Sequence, residues 1–308
     1  MSIQVFIDGG AGTTGLQINE RLTGRAGIAL SVLPDDKRKD AAARREALND
    51  ADVVVLCLPD DAAREAVALI DNERTRVIDA STAHRVAPGW VFGFPELVGR
   101  DTVAGAKRIS NPGCYSTGFI ALVAPLVKAG LIPADLPLTC NAVSGYSGGG
   151  KSMIVEFEGG AAATAWRTYG LKLNHKHVPE MRERSGLGVS PIFAPSVANL
   201  FSGMVVEIPL HLGALPSRAT AAALRDALAN FYAGSPIVRV VPEYDEGTLT
   251  IERLANTDRL DLFVFGDAND RQARLVAVLD NLGKGAAGAA VQSLNLVAGL
   301  PETEGLRL

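Results

Sequence analysis

One cysteine of this chain stands where a thiol could act as a nucleophile: Cys114, in the run Ser110-Asn111-Pro112-Gly113-Cys114-Tyr115-Ser116-Thr117-Gly118. The proline–glycine pair reads as a turn, and the apolar stretch from Phe119 to Leu131 reads as the helix that follows it. The first amide groups of a helix lack internal partners, and the aligned peptide dipoles leave that end partly positive. A thiol placed there gives up its proton more readily, and the thiolate is the reactive form. The alternative is packing, because free cysteine is often a small buried hydrophobe. Further along, Leu173-Asn174-His175-Lys176-His177-Val178-Pro179-Glu180 gathers two histidines, a lysine and a glutamate. Either histidine could move a proton near neutral pH, Glu180 could orient His177, and Lys176 could hold an anionic substrate. A metal site is the rival reading, but no third ligand at suitable spacing accompanies the pair. The remaining histidines, His84 and His211, read as structural or surface residues.

A third constellation lies near the start. Gly10-x-Gly12-x-x-Gly15, with Thr13 and Thr14 inside it, follows the short apolar strand Ile3 to Ile7 and opens a helix. That context is what a dinucleotide site requires: a tight turn, close backbone approach, and a helix start to receive the pyrophosphate. After the second strand, Ile28 to Leu33, come Asp35 and Asp36 and then Lys37, Arg38 and Lys39. An acid there would hold a ribose hydroxyl and bases would suit a 2′-phosphate, and the balance leans to the phosphorylated cofactor. The glycine-rich run Ser144 to Lys151 could cradle an anion through backbone amides or serve as a mobile loop, and it does not match a P-loop.

The elements that must position these residues fall into two textures. Strand and helix alternate through the first ninety or so residues, with unbroken apolar runs such as Val53-Val54-Val55-Leu56-Cys57-Leu58. Such runs imply a parallel sheet covered on both faces. Past about residue 135, the strands Leu138–Val143, Val205–Leu210, Ile237–Val241 and Leu260–Phe265 have fewer helices between them. The expected fold is therefore α/β: a Rossmann-type parallel-sheet domain over 1–113, completed by a C-terminal helix over 285–308, and an α+β catalytic and dimerisation domain over 114–284 with a mixed or antiparallel sheet.

Composition narrows the function. The chain has 308 residues, 47% hydrophobic and 21% charged, the balance of a soluble globular enzyme. A formal net charge of -4 gives no electrostatic case for nucleic acid or an anionic membrane. No apolar stretch reaches the roughly 18 residues that span a bilayer, and no export signal is visible, so a cytoplasmic location is expected. Cys57 and Cys140 lie within apolar strands and read as packing, and the three widely spaced cysteines argue against disulfides and zinc.

Together, a dinucleotide fold, a cysteine at a helix start and a distant histidine suggest acyl transfer to sulfur coupled to hydride exchange. Gly10–Gly15, Asp79-Ala80-Ser81-Thr82-Ala83-His84-Arg85, Phe92-Gly93-Phe94-Pro95-Glu96-Leu97, Asn111-Pro112-Gly113-Cys114-Tyr115, His175-Lys176-His177-x-Pro179-Glu180, and the stretch Leu279-Asp280-Asn281-Leu282-x-Lys284-Gly285-Ala286-Ala287-Gly288 occur in that order. In these runs the chain resembles the N-acetyl-gamma-glutamyl-phosphate reductase family, of the short type, within the aspartate-semialdehyde dehydrogenase superfamily. The usual Asp-Leu-Ser-Ala-Asp-Phe-Arg segment departs at Asp79–Arg85. The resemblance implies NADP(H) as cofactor, no metal, a small-molecule substrate, and a homodimer or homotetramer. It implies Cys114 as nucleophile and His177 as base with Glu180 behind it, His175 on the substrate, and the two histidines are exchangeable. Arg85 and Lys176 are the implied holders of carboxylate or phosphate, with Ser144 as a further substrate contact and Asn281 near the nicotinamide.

Overall fold

The computed structural model describes residues 2–160 and 164–308. The chain divides into two compact units, one of Met1–Gly113 with Ala286–Leu306 and one of Cys114–Gly285 with Arg307–Leu308.

The first unit runs β1 (Ile3–Asp8), α1 (Thr13–Leu22), β2 (Ile28–Ser31), α2 (Ala41–Asp50), β3 (Val53–Leu56), α3 (Asp60–Leu69), β4 (Arg76–Asp79), β5 (Val91–Phe92), α4 (Pro95–Val98), α5 (Arg100–Ala104) and β6 (Arg108–Ser110). Its six strands form one sheet in the order β2-β1-β3-β4-β6-β5, and every pair is parallel. Side chains alternate across a strand. Val5, Ile7, Val53, Val55, Ile78 and Ile109 therefore point to one core, and Phe6, Val54, Leu56 and Val77 to another. Helices fill both sides, which is why no polar residue interrupts the runs. Ile18 and Leu22 of α1 cover the first face. Leu48 of α2, with Ala63 and Ala66 of α3, covers the second.

The second unit begins at Cys114. It contains α6 (Cys114–Lys128), β7 (Thr139–Gly145), α7 (Gly150–Glu158), β8 (Trp166–Thr168), α8 (Val178–Ser185), β9 (Ile192–Ala198), β10 (Met204–His211), α9 (Ala221–Phe231), β11 (Val238–Val240), β12 (Leu260–Gly266) and β13 (Gln272–Leu279). The strands make a seven-stranded mixed sheet, β11-β12-β13-β10-β7-β9-β8, parallel only at β11/β12 and β7/β9. The fold is thus a Rossmann-type parallel sheet plus a mixed-sheet α+β unit. After β13 comes a π-helical turn, Gly283–Ala287, and then α10 (Gly288–Val297). Ala290, Val291 and Leu294 of α10 join the core of the first unit beside Ile18 and Ile78.

Three local readings change. The helix after the Pro-Gly turn begins at Cys114 rather than Phe119 and stops at Lys128. Ser116, Thr117 and Gly118 are weak helix formers, but their burial in the unit overrides propensity. The glycine-rich run is no loop: Ser144 and Gly145 end β7, Tyr146–Gly149 form a 3₁₀ turn, and α7 starts at Gly150. The C-terminal helix starts at Gly288, after the π turn.

Candidate active site

In the first unit, β1 is flanked by β2 on one side and β3 on the other, so the strand order reverses there. Ligands of open α/β sheets bind at such a switch point, beyond the carboxyl ends of the strands. The turn after β1 is tight: Gly12 N donates to the Gly9 carbonyl at 3.0 Å. Gly9 takes φ +87°, and a Cβ there would lie 2.3 Å from the Cys57 carbonyl oxygen at the end of β3. A Cβ on Gly15 would lie 2.6 Å from the Gly9 carbonyl oxygen, so the helix start must be bare to sit against the turn. The sequence motif singles out Gly10, Gly12 and Gly15. Gly9 is the addition, and the Gly9-Gly10 pair was its only signal. Gly12 caps α1 with no side-chain bond, and the first turn carries Thr13 and Thr14 and no acid. That end suits the pyrophosphate of a dinucleotide, by its amides and by its dipole.

Beyond β2, Lys37 and Lys39 are exposed, Arg38 pairs with Asp35 at 3.2 Å, and Asp40 caps α2 through the Ala43 amide. Arg44 bonds Asp8, at the end of β1, at 2.8 Å. Arg85 is buried in this unit, and its Nε donates to the Asn111 carbonyl at 3.1 Å. Asn111 in turn bonds the Ala286 carbonyl at 2.9 Å, which fixes the segment entering Cys114. His84 is structural: Nδ1 lies 2.6 Å from the buried Asp79 carboxylate, and the ring stacks on Trp90 at 4.0 Å.

The second unit gathers Cys114, His175, His177, Glu180, Ser144 and Asn281. Cys114 is the first residue of α6 and is partly exposed. Tyr115 beside it is the hub. Its ring centroid lies 6.4 Å from that of His175 and 6.0 Å from that of His177, and its hydroxyl donates to the Ser196 carbonyl at 2.8 Å. The Tyr169 hydroxyl donates to Tyr115 at 3.2 Å. Burial, with added pressure from the Cys114 charge, pushes the Tyr169 phenol up to about 12 and the Tyr115 phenol well above its ordinary range. Both phenols therefore stay protonated at neutral pH. Tyr169 is a site residue that sequence reasoning missed. It stands alone between the edge strand β8 and a turn, with no periodicity to mark it.

The two histidines differ in setting. The His177 amide donates to His175 Nδ1 at 3.1 Å, so the neutral His175 ring carries its proton on Nε2. His177 is buried at the N-cap of α8, its ring 4.7 Å from that of His175. Glu180 is buried in the first turn of α8. Arg184, whose basicity burial lowers, feels the Glu180 charge. Lys176 is exposed. The Ser144 hydroxyl donates to the Gly145 carbonyl at 3.0 Å. Asn281 is tied at both ends of its amide, accepting from Gly203 N at 3.0 Å and donating to Ser147 Oγ at 2.9 Å. Among the described residues, no group of three or more His, Cys, Asp or Glu is placed to hold a metal ion, and no helix is long and apolar enough to cross a membrane.

The other two thiols are held protonated. Burial, then the Asp79 and Asp8 carboxylates, push Cys57 up to about 12, and burial alone pushes Cys140 higher still. A brief iodoacetamide pulse on the folded protein at pH 7 is expected to label Cys114 and leave Cys57 and Cys140 unmodified by peptide mass mapping. Equal labelling of the three would remove the reactivity difference.

Residues 4–106 match the semialdehyde dehydrogenase NAD-binding domain, and residues 114–281 match the semialdehyde dehydrogenase dimerisation domain. The chain belongs to the semialdehyde dehydrogenase family and is an oxidoreductase with a nicotinamide cofactor. Its curated relatives bear a narrower name. N-acetyl-gamma-glutamyl-phosphate reductase 2 of a Nostoc species is 48% identical over 98% of this chain and 99% of its own length. The protein of that same name from Pseudomonas putida is 50% identical over 98% of each chain. N-acetyl-gamma-glutamyl-phosphate reductase of a Chelativorans species is 51% identical over 96% of this chain and 98% of its own. Among solved structures, aspartate semialdehyde dehydrogenase II of Vibrio cholerae superposes with a TM-score of 0.71 at 18% identity, covering 97% of this chain and 99% of that one. The aspartate semialdehyde dehydrogenase of Francisella tularensis does so with a TM-score of 0.72 at 14% identity, covering 96% and 99%. Both share the fold.

Proposed function

We propose that this chain reduces N-acetyl-L-glutamyl 5-phosphate to N-acetyl-L-glutamate 5-semialdehyde and phosphate with NADPH, through a thioester on Cys114. The observation that carries the reading is the partly exposed thiol at the first residue of α6, beside a tyrosine that packs on both histidines. Near-full-length identity of about half to reductases of that name supports the substrate.

Cys114 Sγ attacks the acyl carbon, the C–O bond to phosphate breaks, and the thioester forms. A nicotinamide dinucleotide, whose pyrophosphate Gly10, Gly12 and Gly15 at the start of α1 would hold, would supply the hydride for the reduction. When the thiohemiacetal on Cys114 collapses, its hydroxyl loses a proton, the C–S bond breaks and the sulfur leaves. His177 is the base that holds and returns these protons, with Glu180 behind it. His175 donates from Nε2 to the substrate, because its Nδ1 already accepts from the backbone. Arg85 and Lys176 are the cations proposed for the substrate's anionic groups, since a guanidinium fits carboxylate or phosphate with two bonds. Ser144 is the proposed hydroxyl contact. The protein is proposed to act as a homodimer or homotetramer.

The deciding assay follows NADPH formation from N-acetyl-glutamate semialdehyde with and without phosphate, then repeats it with NAD and with aspartate semialdehyde. Phosphate-independent turnover, or preference for aspartate semialdehyde, would overturn the assignment. The exposed pair beyond β2 is expected to read the cofactor's 2′-phosphate. Changing Lys37 and Lys39 together to alanine should raise KM for NADP about tenfold and leave KM for NAD unchanged. Equal effects on both would place the phosphate elsewhere.

A further inference from the structure

We infer that Gly285 is a positioning residue for the thiol: it sets where Cys114 sits at the start of α6, and it can do so because it has no side chain. The inference rests on the proposed role of Cys114 as nucleophile. Gly285 lies in the π-helical turn Gly283–Ala287. Its amide donates to the Asp280 carbonyl, five residues back, at 3.1 Å. Turns of this wider kind are rare and concentrate at functional places. The entry to this one is pinned by the buried Asp280 carboxylate. Oδ1 accepts from the Leu282 amide at 2.6 Å and the Gly283 amide at 3.1 Å, and Oδ2 accepts from the Asn256 amide at 2.5 Å.

The turn lays the Gly285 α-carbon against the first residue of α6. A Cβ at position 285 would come 2.9 Å from Cys114 Cβ, 3.3 Å from Cys114 Cα and 3.0 Å from the Asp280 carbonyl oxygen. None of these is the far end of a flexible side chain. The backbone does not itself demand glycine here, because Gly285 is absent from the residues with positive φ. Space alone demands it.

The helix has no room to retreat. One turn along α6, a Cβ on Gly118 would lie 2.8 Å from Val206 Cγ2 on β10 and 3.3 Å from Ala277 Cβ on β13. The helix is therefore seated at two bare positions, one against the sheet and one against Cys114 Cβ and Cα. Close packing passes strain on rather than absorbing it. A methyl group at 285 must push Cys114 outward or open the π turn, and either moves the sulfur relative to the amides of the first turn.

The test is Gly285→Ala. Phosphate-dependent oxidation of the semialdehyde should lose kcat by about 100-fold, the scale of a misplacement near 1 Å. KM for both substrates should stay within about threefold, because ground-state binding is untouched. Iodoacetamide labelling of Cys114 at pH 7 should slow by about tenfold, with its pH midpoint moved upward. A kcat within twofold of wild type together with an unchanged labelling profile would overturn the inference. Should Gly285→Ala not fold, Asp280→Asn carries the test. It keeps the shape but weakens the acceptor that holds the turn's entry, and the same changes should appear at smaller size. Wild-type kcat and labelling in Asp280→Asn would equally overturn it. Cys114→Ser run in parallel separates the two ideas. An active Cys114→Ser sinks the nucleophile, whereas an inactive Cys114→Ser beside a normal Gly285→Ala sinks only the positioning role.

Discussion

Cys114→Ser is expected to fold as the wild type and to lose phosphate-dependent semialdehyde oxidation by about 10³-fold or more, because a hydroxyl at that place is a far weaker nucleophile than a thiolate. The substitution exchanges one small side chain for another at a partly exposed position, so the melting temperature should barely move. NADP binding should also persist, since the proposed pyrophosphate site belongs to the turn after β1. The decisive measurement is single-turnover kinetics with the semialdehyde and NADP. Wild type should give a burst of NADPH as the acyl group is captured on sulfur, and the variant none. A variant retaining wild-type turnover would end the thioester mechanism.

The second large effect belongs to His177. Removing a positioned general base takes away about 10²–10⁴-fold in rate. His177→Asn is the informative change, because asparagine keeps a polar side chain at a position where the histidine makes no capping bond, so the start of α8 should be preserved. The kcat should fall within that range, and the limb of the pH–rate profile that reports the base should disappear. His175→Asn should behave differently. Its ring meets Tyr115, Tyr169 and Phe193, and its Nδ1 is occupied, so the main loss should appear in KM for the semialdehyde. If His175→Asn lost the pH limb and His177→Asn kept it, the two roles would have to be exchanged.

Much of this was legible because the physics is local. The runs Val5–Ile7 and Val53–Leu56 have no polar break, since helices cover both faces of the parallel sheet, and that pattern announces the architecture. The mixed sheet was legible from four of its seven strands, whose ends moved by a residue or two, whereas β8, β9 and β13 were not read. Cys114 stood out because a Pro-Gly turn precedes an apolar helix. Other features depend on contacts distant in sequence and so left no pattern. The helix takes in Ser116 and Thr117 because they are buried in the unit. The run from Ser144 looked flexible because it is rich in glycine, yet Gly145 is required by space, with the Phe201 carbonyl oxygen 2.6 Å from where its Cβ would be. Tyr169 reaches the site through the pairing of β8 with β9, which sequence spacing cannot reveal. The link between His84 and Asp79 spans only five residues, and only the fold of the turn brings them together.

The return of α10 to the first unit has a consequence for synthesis. Ile18, Ile78 and Ile109 share a core with Ala290, Val291 and Leu294. The intervening unit, Cys114–Gly285, must be translated before those last residues exist. At ordinary ribosomal speed its roughly 170 residues take on the order of 10–30 s. For that interval one face of the nascent parallel sheet lacks the part of its cover that α10 supplies, and the apolar surface left open is prone to association. A nascent chain of this design therefore carries part of its first core open to solvent until the carboxyl-terminal segment emerges and closes it.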